Sequence, residues 1–301
     1  MINLLRILFK TLRRMIWFGS KHLPIQLKAK TVQGVFLIPS SSVKVNDFIS
    51  KSLYIDKCFE YDIYQRSINF LKSKKYLSDK VNNTIIDVGI NNGVISIGAL
   101  LAKDFEYSIG FDGCKNHIEC CRRNIEANSL TDKFSLFHAV LSDTSKTVLF
   151  ENSISDFGQH RVVGQADKDF QFLFDEDKNI KEEVKSCTLD SLLIPYSKKL
   201  RSGNNLLWID VEGHEGFIFK GASNLLKTNL PCIMELCPYM IKRSGMDHKS
   251  YIEIIQSHWE QFWILRDYKI VNYPTSVIGN FMQEIDGNGS YSNIILTPRG
   301  T

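Results

Sequence analysis

The stretch TIIDVGINNGVISI, residues 84–97, carries the side chains whose types and spacing best suit ligand chemistry. A short apolar run ends at Asp87, and a turn follows that contains Gly89, Asn91 and Gly93. Gly89 lets the backbone turn without a Cβ, and Gly93 is placed for close packing of the helix on its strand. This strand–turn–helix pattern is typical of nucleotide-binding α/β units, although an ordinary βα turn without a ligand also explains it.

The composition of this turn indicates which nucleotide it suits. A dinucleotide site has the pattern G-x-G-x-x-G, because its second glycine admits a pyrophosphate. Asn91 occupies that second position here, and Asp87 precedes the turn. An acid in this place repels a pyrophosphate and attracts the cationic amino-acid end of S-adenosylmethionine. The turn therefore favours S-adenosylmethionine as the ligand.

Two further acids follow the next predicted strands. Asp112 ends the second strand in IGFDG, where an acid can accept hydrogen bonds from both hydroxyls of a ribose. HAVLSD ends the third strand, and its Ser142 or Asp143 is placed to bond the exocyclic amine of an adenine. A simple cap at a strand end explains Asp112 equally well, and turn chemistry explains Ser142 and Asp143.

The segment LLWIDVEGHE, residues 206–215, brings several titratable groups to the end of a central strand. Open α/β sheets bind ligands at this edge, so Asp210, Glu212 and His214 are candidate catalytic residues. His214 is a candidate general base toward an acceptor hydroxyl. The three share one side only if the strand stays extended. The alternative for the neighbouring Glu215 is that it only stabilises the dipole of the next helix.

No metal site is predicted. The seven cysteines are scattered, without a CxxC pair or a Cys/His spacing typical of zinc ligands. A divalent ion among the carboxylates of residues 210–215 stays open, because nothing fixes its geometry. Scattered free thiols are typical of a reducing compartment, so we expect a cytoplasmic location.

These residues need a doubly wound sheet to bring them together, and the pattern after residue 80 predicts one. Strands and helices alternate, which favours a mainly parallel sheet of seven strands with a late hairpin. The predicted strands are 84–88, 107–112, 134–140, 206–211, 233–236, 261–266 and 293–297, and the predicted helices are 93–103, 115–128, 215–228 and 248–259. The charge-rich stretch 152–183 is predicted to form a functional loop or lid.

The N-terminal part differs from this body in charge. Residues 1–46 contain eight Lys or Arg and no acid, although the whole chain has a net charge of only +4. The remaining body is mildly acidic, which argues against a nucleic-acid groove. We predict a basic amphipathic helix and a cap region over 1–80, and the sheet domain over 81–301. Within 1–80, a helix over 1–23, a strand ending at Pro39 and a helix over 56–72 are expected.

The first 23 residues place basic and apolar side chains on opposite helix faces. The basic residues are Arg6, Lys10, Arg13 and Arg14, and the apolar ones include Leu5, Leu8, Phe9, Leu12, Ile16 and Trp17. Neither a transmembrane span nor a signal peptide is expected, since no apolar run is long enough. The helix is predicted either to lie on an anionic membrane surface or to dock on the body with its basic face solvated.

Several motifs together resemble one known family over roughly residues 84–266. They are IDVGINNG, GFDGCKNHIECCRRNIEAN, AVLSD, CTLDSL, WIDVEGHEGFIFKGA and CIMEL, and they resemble the FkbM-type family of S-adenosylmethionine-dependent methyltransferases. The resemblance implies a class I methyltransferase fold. It also implies O-methylation of a hydroxyl on a sugar, a glycolipid or surface-polysaccharide intermediate, or a secondary metabolite.

The resemblance also implies roles for individual residues. The methionine end of the cofactor would be lined by Asp87, Gly89, Asn91 and Gly93. Asp112 would hold the ribose, Asp143 would lie near the adenine, and Asp210 and Glu212 would lie beside the transferred methyl group.

The sequence departs from the family in two places. Asp112-Gly113 replaces the usual Glu-Pro, so the carboxylate has a shorter reach. Trp208 stands two residues before the fourth-strand acid, where Lys is common, and any role of that Lys is lost.

Two other functions are consistent with this fold class. One is a nicotinamide-dependent oxidoreductase, which Asn91 disfavours, and the other is a non-catalytic scaffold that retains the fold. The expected partner is a small-molecule or glycan acceptor and not a nucleic acid. If the first helix lies on lipid and does not dock on the body, peripheral contact with the inner membrane face through residues 1–23 is also expected.

Overall fold

The computed structural model describes residues 2–78, 83–153, 160–164, 173, 179–202, 204–266 and 269–298. Most of the predicted loop 152–183 lies outside the described residues, so its function as a lid stays a prediction. None of the described helices combines the length and the apolar character required to cross a bilayer.

Helices and strands alternate through most of the described chain. The helices are α1 (Ile2–Gly19), α2 (Ser40–Val45), α3 (Phe48–Ile55), α4 (Tyr61–Ser73), α5 (Val94–Leu101), α6 (Lys115–Ala127), α7 (Leu189–Leu193), α8 (Ser197–Ser202), α9 (Glu215–Lys220), α10 (Ser223–Leu226), α11 (Pro238–Arg243), α12 (His248–His258) and α13 (Ile278–Ile285). The strands are β1 (Leu27–Thr31), β2 (Gly34–Ile38), β3 (Thr84–Val88), β4 (Tyr107–Asp112), β5 (Phe134–His138), β6 (Val140–Leu141), β7 (Thr147–Asn152), β8 (Arg161–Val162), β9 (Ile180–Cys187), β10 (Asn205–Ile209), β11 (Cys232–Leu236), β12 (Gln261–Arg266), β13 (Lys269–Pro274) and β14 (Ser292–Thr297).

The main sheet has eight strands in the order β13-β12-β14-β11-β10-β3-β4-β5. The five strands from β11 to β5 are parallel, whereas β14, β12 and β13 pair antiparallel at the other end. The chain reverses its direction of winding beside β3, so a crevice opens where β3 and β10 end. Ligands of open α/β sheets bind in such a crevice.

Apolar layers cover both faces of this sheet, because successive residues of a strand point to opposite sides. Ile86 of β3 packs in a layer with α9, α12 and α13, and Ile85 packs in the opposite layer with α5 and α6. The N-terminal segment completes the second layer through Trp17, Phe36 and other buried residues. The sheet is therefore enclosed on both sides, as a parallel sheet requires.

The β1–β2 hairpin is attached to α6 by asparagine side chains. Asn124 Oδ1 accepts from the N–H of Leu37 at 2.8 Å, and Asn128 Oδ1 accepts from the N–H of Val35 at 2.8 Å. Asn128 Nδ2 also donates to the carbonyl of Val35 at 2.7 Å. These amides satisfy backbone groups of β2, which would otherwise be an unpaired strand edge.

Two predicted helices differ from the structure. The predicted helix 215–228 is interrupted near Gly221, because Asp190 accepts hydrogen bonds from the N–H groups of Asn224 and Leu225 and starts α10 afresh. The helix predicted at 56–72 begins only at Tyr61, since Glu60 before it has a left-handed backbone with φ of +48°.

The strands also differ from the prediction in three respects. The sheet has eight strands and not seven, since Lys269–Pro274 adds an antiparallel strand beside β12. The strand predicted at 134–140 ends at His138, and Val140–Leu141 pairs with β9 in a small second sheet of order β6-β9-β7-β8. The strand predicted to end at Pro39 forms as β2, but its partner β1 was not predicted.

Candidate active site

A cavity opens where β3, β4 and β10 end. The space that it encloses, including solvent at its mouth, is about 910 Å³. Its wall combines residues of the sheet, of the small second sheet and of the N-terminal segment. They are Ile49, Phe59, Glu60, Asp87, Val88, Gly89, Ile90, Asn91, Val94, Ile95, Phe111, Asp112, Gly113, His117, Ala139, Val140, Leu141, Phe150, His160, Arg161, Val162, Trp208, Asp210, Val211, His214 and Ile218.

The turn after β3 passes directly beneath β10, which explains the need for glycine there. Gly89 has φ of +88°, and a Cβ on it would lie 1.8 Å from the carbonyl oxygen of Asp210. Its N–H donates to the carbonyl of Phe111 at 2.9 Å, which ties the turn to β4. Any side chain at Gly89 would separate the two strand ends that carry the acids of the cavity.

The second half of the turn is held by α6. Gly93 has φ of +84°, and a Cβ there would lie 2.7 Å from Cys121 Sγ. Asn124 Nδ2 donates to the carbonyl of Asn92 at 2.9 Å. Gly93 therefore permits contact with α6, and it lies behind the cavity wall instead of lining it. The sequence pattern indicated a close approach here but attributed it to the strand.

Asp112 accepts hydrogen bonds from three groups. Its Oδ1 accepts from the N–H of Cys114 at 2.8 Å, and its Oδ2 accepts from the N–H of Asn91 at 2.9 Å. His117 Nδ1 lies 3.1 Å from the same Oδ2. Burial alone would raise the pKa of Asp112, but His117 and the two N–H groups outweigh it and hold the pKa below its usual value. Asp112 is therefore the ionised acid of the cavity.

Asp87 has the opposite electrostatic setting. Ser96 Oγ donates to its Oδ2 at 2.6 Å, and Ser108 Oγ in turn donates to Ser96 Oγ at 2.9 Å. Burial, together with the charges of Asp210 and Asp112, raises the pKa of Asp87 to about 7 in spite of the Ser96 bond. A cation brought near this carboxyl would lower its pKa and stabilise the ionised form.

Asp210 follows β10 and is exposed to solvent inside the cavity, although protein surrounds it. Loss of hydration, followed by the charge of Asp112, raises the pKa of Asp210 to about 6. Glu60 comes from the N-terminal segment, and burial followed by the charge of Asp210 raises its pKa to about 7. The sequence pattern did not indicate Glu60, because it belongs to no recognisable motif and its place beside Asp210 depends on how the N-terminal segment packs.

Glu212 does not line the cavity with Asp210. The strand ends at Ile209, and the chain then turns with φ of +57° at Glu212, so the extended geometry needed to put both acids on one side is absent at these residues. Burial, then the charge of Asp210, raises the pKa of Glu212 to about 8, and Arg243 opposes this shift. The carbonyl of Glu212 accepts from Arg243 Nη2 at 3.1 Å.

Two neighbouring glutamates add to the negative charge behind the cavity. Glu215 Oε1 accepts from the N–H groups of Val211 and Gly213 at 3.3 and 3.2 Å, so it holds the turn that follows β10. Burial raises the pKa of Glu215 to about 7. Burial and the nearby acids, Asp210 first among them, raise the pKa of Glu235 on β11 to about 9.

His214 lines the cavity and connects it to Asp143. His214 Nε2 lies 3.1 Å from Ser142 Oγ, which also donates to Asp143 Oδ1 at 3.1 Å. Lys146 Nζ donates to the same Asp143 oxygen at 2.8 Å. Asp143 itself does not line the cavity; burial raises its pKa, but the bonds from Lys146 and Ser142 prevail and lower it.

The environment of His214 makes it a weak base. Burial lowers the pKa of His214 to about 4, so the ring is neutral near neutral pH. Its Nδ1 is buried and has no hydrogen-bond partner among the residues described here. Asp210, with a pKa of about 6 and direct access to the cavity, is better suited to accept a proton near neutral pH.

One cluster in the cavity wall has donor atoms of the kind that hold a metal. Ligand atoms of Cys114, His117 and His160 lie within 4.8 Å of one another. The N–H of Ser153 donates to His160 Nδ1 at 2.9 Å, so Nε2 carries the proton in the neutral ring. Burial raises the pKa of Cys114 to about 11, which keeps the thiol protonated. Cys114 would thus have to lose a proton, and His160 would have to change tautomer and give up its bond from Ser153, before Nε2 and the thiol could ligate zinc.

A match to a protein family decides the general activity. The family model described as the methyltransferase FkbM domain matches residues 48–263. The chain belongs to this family. The predicted family is confirmed, and the order of the sheet strands agrees with the predicted class I methyltransferase fold. Family membership also decides against a nicotinamide-dependent oxidoreductase.

The solved structures that the chain matches include several methyltransferases. The methyltransferase FkbM from Methylobacillus flagellatus KT is 9% identical, covers 94% of this chain and 59% of its own, and gives a TM-score of 0.42. An O-methyltransferase from Bacillus cereus, in complex with SAH, is 11% identical, covers 86% of this chain and 90% of its own, and gives a TM-score of 0.40.

An uncharacterized protein from Listeria monocytogenes serotype 4b is 10% identical, covers 79% of this chain and 68% of its own, and gives a TM-score of 0.38. This FkbM-family chain spans about three fifths of the length of the Methylobacillus protein. No curated protein sequence matches it at a significant level.

The structure brings together six of the nine residues that the sequence indicated. The residues that line the cavity are Asp87, Gly89, Asn91, Asp112, Asp210 and His214. Gly93, Asp143 and Glu212 lie around it without lining it, and the roles of all nine in binding or catalysis stay predictions. Glu60 and His117 line the cavity of this methyltransferase domain but were not predicted, and the place of Glu60 depends on contacts between distant segments.

Proposed function

We propose that the protein transfers a methyl group from S-adenosylmethionine to a hydroxyl group. The acceptor class is a hydroxyl on a sugar, a glycolipid or surface-polysaccharide intermediate, or a secondary metabolite. The observation that carries this proposal is the charge of the cavity. Four carboxyl groups line it, Glu60, Asp87, Asp112 and Asp210, and three of them have a raised pKa because burial, and after it the charge of neighbouring acids, disfavours their ionised forms.

A cationic ligand fits such a cavity. The one Arg or Lys among its described lining residues is Arg161, and Arg161 Nη2 already donates to Glu151 Oε1 at 2.7 Å. The cavity therefore has an excess of negative charge when its carboxyls ionise. S-adenosylmethionine carries positive charge on its sulfonium and amino groups, and either charge near Asp87 or Asp210 would favour their ionised forms.

Asp112 supports the same ligand through its remaining acceptor capacity. A carboxylate offers about four lone-pair positions, and three donors occupy Asp112. The remaining position can accept from a ribose hydroxyl, while the three existing bonds fix the direction of the side chain. The shorter reach of Asp relative to the family's usual Glu is offset here by this rigid placement.

The chain's own contribution to the reaction is to bind, orient and accept a proton. The sulfonium supplies a methyl group attached to a good leaving group. Asp210 would accept the proton of the acceptor hydroxyl, because its carboxyl faces the cavity and titrates near neutral pH. Phe59, Trp208 and Ile49 form an apolar part of the wall that would exclude water and position the acceptor.

Calorimetric titration with S-adenosylhomocysteine tests the cofactor. We expect micromolar binding to the purified protein, and binding at least about tenfold weaker in Asp112→Asn, which corresponds to about 1.4 kcal/mol. Asp62→Asn is the matched control, because the Asp62 side chain is 82% exposed and does not line the cavity. Absence of binding by folded wild-type protein would refute the proposal and favour a scaffold.

Transfer of labelled methyl groups tests the chemistry separately. Wild-type protein should label a crude lipid or polysaccharide fraction, and Asp210→Asn should lower the rate by about a hundredfold, as loss of a general base does. Binding of S-adenosylhomocysteine to Asp210→Asn should remain measurable. An unchanged rate in Asp210→Asn would exclude Asp210 as the base while leaving the cofactor assignment intact.

A further inference from the structure

Helix α1 has an apolar face that points away from the rest of the protein. Eight large apolar side chains of this helix are exposed, namely Leu5, Ile7, Leu8, Phe9, Leu12, Met15, Ile16 and Phe18. Leu8 and Met15 are 64% and 67% exposed, and with Leu12 between them they follow helical spacing along one face. Contiguous exposed apolar surface of this kind marks an interaction site in a folded protein.

The polar side of α1, in contrast, contacts the body. Arg13 Nε donates to the carbonyl of Ile55 at 2.8 Å, and Lys10 forms an ion pair with Asp56. Trp17 is buried, and its indole nitrogen donates to Asn46 Oδ1 at 3.0 Å. The sequence left two alternatives for this helix. The structure does not show the second one, a helix docked on the body with its basic face solvated. The helix is docked, but its apolar face is the one turned outward.

Basic side chains surround this apolar face. Arg6 and Arg14 on α1 are exposed, as is Lys21 just beyond the helix. Lys51 of α3 places its ammonium group 5.6 Å from the ring centroid of Phe18, at the edge of the same face. Residues 1–46 contain no acid, so α1 contributes only cations to this rim.

We infer that the outward face of α1 docks the protein on an anionic lipid surface. Its apolar side chains would enter the boundary between headgroups and acyl chains, and the basic rim would contact the anionic headgroups. This geometry is that of a helix that lies in the membrane plane, held at one side by the protein and at the other by lipid. The inference is independent of the methyl-transfer proposal.

A second copy of the chain fits this face less well. A symmetric contact would place the same face of two molecules together. The rim cations Arg6, Arg14 and Lys21 of each copy would then approach those of the other, without an acid in residues 1–46 to pair with them. Like charges across an interface disfavour association. An anionic lipid surface satisfies both the apolar centre and the positive rim.

The outward face of α1 is also close to the cavity. Helix α1 packs on α3, and Ile49 of α3 forms part of the cavity wall. One helix therefore separates the proposed membrane contact from the candidate active site.

Flotation of the full-length protein with lipid vesicles tests the inference. Wild-type protein should float with vesicles of phosphatidylcholine and phosphatidylglycerol, and much less with phosphatidylcholine alone. The double variant Leu8→Gln, Met15→Gln should bind the anionic vesicles at least about tenfold more weakly, because two apolar side chains no longer enter the lipid. The matched control is Ile180→Gln, Ile194→Gln, whose positions are 62% and 70% exposed elsewhere, and it should bind as wild type does.

A second variant separates charge from apolar insertion. Arg6→Gln, Arg14→Gln should weaken binding to anionic vesicles several-fold, and added salt should weaken wild-type binding in the same way. All three variants should bind S-adenosylhomocysteine as wild type does, since none of the positions lines the cavity. A failure in the vesicle assay is thereby distinguishable from a failure of the proposed activity.

Three results would overturn the inference. The first is wild-type protein that binds neither kind of vesicle, and the second is unchanged vesicle binding by Leu8→Gln, Met15→Gln. The third is a concentration-dependent dimer that this variant abolishes, without vesicle binding by wild type, which would assign the face to a second copy.

Discussion

Helix α1 and the cavity edge of the sheet are opposite exceptions to the rule that apolar side chains are buried and charged side chains are exposed. Along α1, eight large apolar side chains are exposed while Arg13 and Lys10 contact the body. At the sheet edge, acids such as Asp87 and Glu215 are buried, each 2% exposed. Exposed apolar surface and buried charge each cost free energy in the isolated protein. Each is therefore expected to mark the place where a ligand or surface of complementary chemistry binds.

The two regions differ in what compensates the departure within the chain. Backbone N–H groups stabilise the negative charge of Asp112 and Glu215, and Ser96 donates to Asp87. On the outward face of α1, Lys51 near Phe18 contributes only charge, and the apolar side chains stay in contact with water. In the free protein, hydrogen bonds within the chain partly offset the cost of the buried acids. The cost of the exposed apolar face can be offset only by a surface or molecule that covers it.

The largest effect is expected from Gly89→Ala. A Cβ at this position would lie 1.8 Å from the carbonyl oxygen of Asp210, and φ of +88° adds backbone strain. We expect a loss of about 4 kcal/mol in the free energy of unfolding from clash and strain together, with loss of S-adenosylhomocysteine binding. Urea unfolding and calorimetry measure the two. Gly287→Ala is the control, since nothing lies within 4 Å of its added Cβ. Equal stability of the two variants would mean that the β3 and β10 ends are not in close contact.

Trp17→Ala and Leu8→Gln compare the buried and the outward sides of α1. Trp17 is 1% exposed, and its loss should lower the free energy of unfolding by about 3 kcal/mol through the cavity that it leaves. Leu8→Gln, on the outward face, should change it by less than about 0.5 kcal/mol. Chemical denaturation compares the two variants directly. A loss from Leu8→Gln as large as that from Trp17→Ala would show that the outward face is covered in the free protein.

A smaller effect is expected from pH. Burial and neighbouring acids raise the pKa of Glu212 to about 8 and that of Glu235 to about 9. A carboxyl whose folded pKa is raised stabilises the fold below its unfolded pKa, and this stabilisation is lost as pH rises through the folded value. The thermal midpoint should therefore fall between about pH 7 and pH 8.5, a range in which buried His214 is already neutral.

Glu235→Gln provides the test of this cause, because it removes the acid whose pKa is most raised. Its thermal midpoint should fall less steeply with pH than that of wild type. S-adenosylmethionine should also reduce the fall, since a bound cation compensates the carboxylates. Parallel pH profiles of wild type and Glu235→Gln would show that Glu235 does not titrate in this range.

Much of the fold follows from local patterns. The apolar run before Asp87 and the glycines after it predict β3 and its turn, and the same reasoning places β4, β10 and β11. Local patterns failed where distant groups decide. The N–H groups of Asn224 and Leu225 bind Asp190, and this interrupts the helix predicted at 215–228. Pairing of Val140 with β9, from much later in the chain, separates it from β5.

The candidate site shows the same limit. Asp112 and Asp210 were indicated because a strand end is recognisable in sequence. Glu60 could not be indicated, since its place beside Asp210 depends on how the N-terminal segment packs on the sheet. Glu212 was expected to share a side with Asp210 only if the strand stayed extended, and the strand stops at Ile209.

The sequence by itself determined the family, the nucleotide-type turn and the amphipathic character of the first helix. The turn and the helix each depend on residue order over a short stretch, where spacing translates directly into backbone geometry, and the family depends on several such stretches in a fixed order. Only the tertiary structure decided which face of α1 points outward and which acids meet in one cavity. Those features depend on contacts between segments far apart in the chain, such as Arg13 with Ile55, and residue spacing carries no information about such contacts.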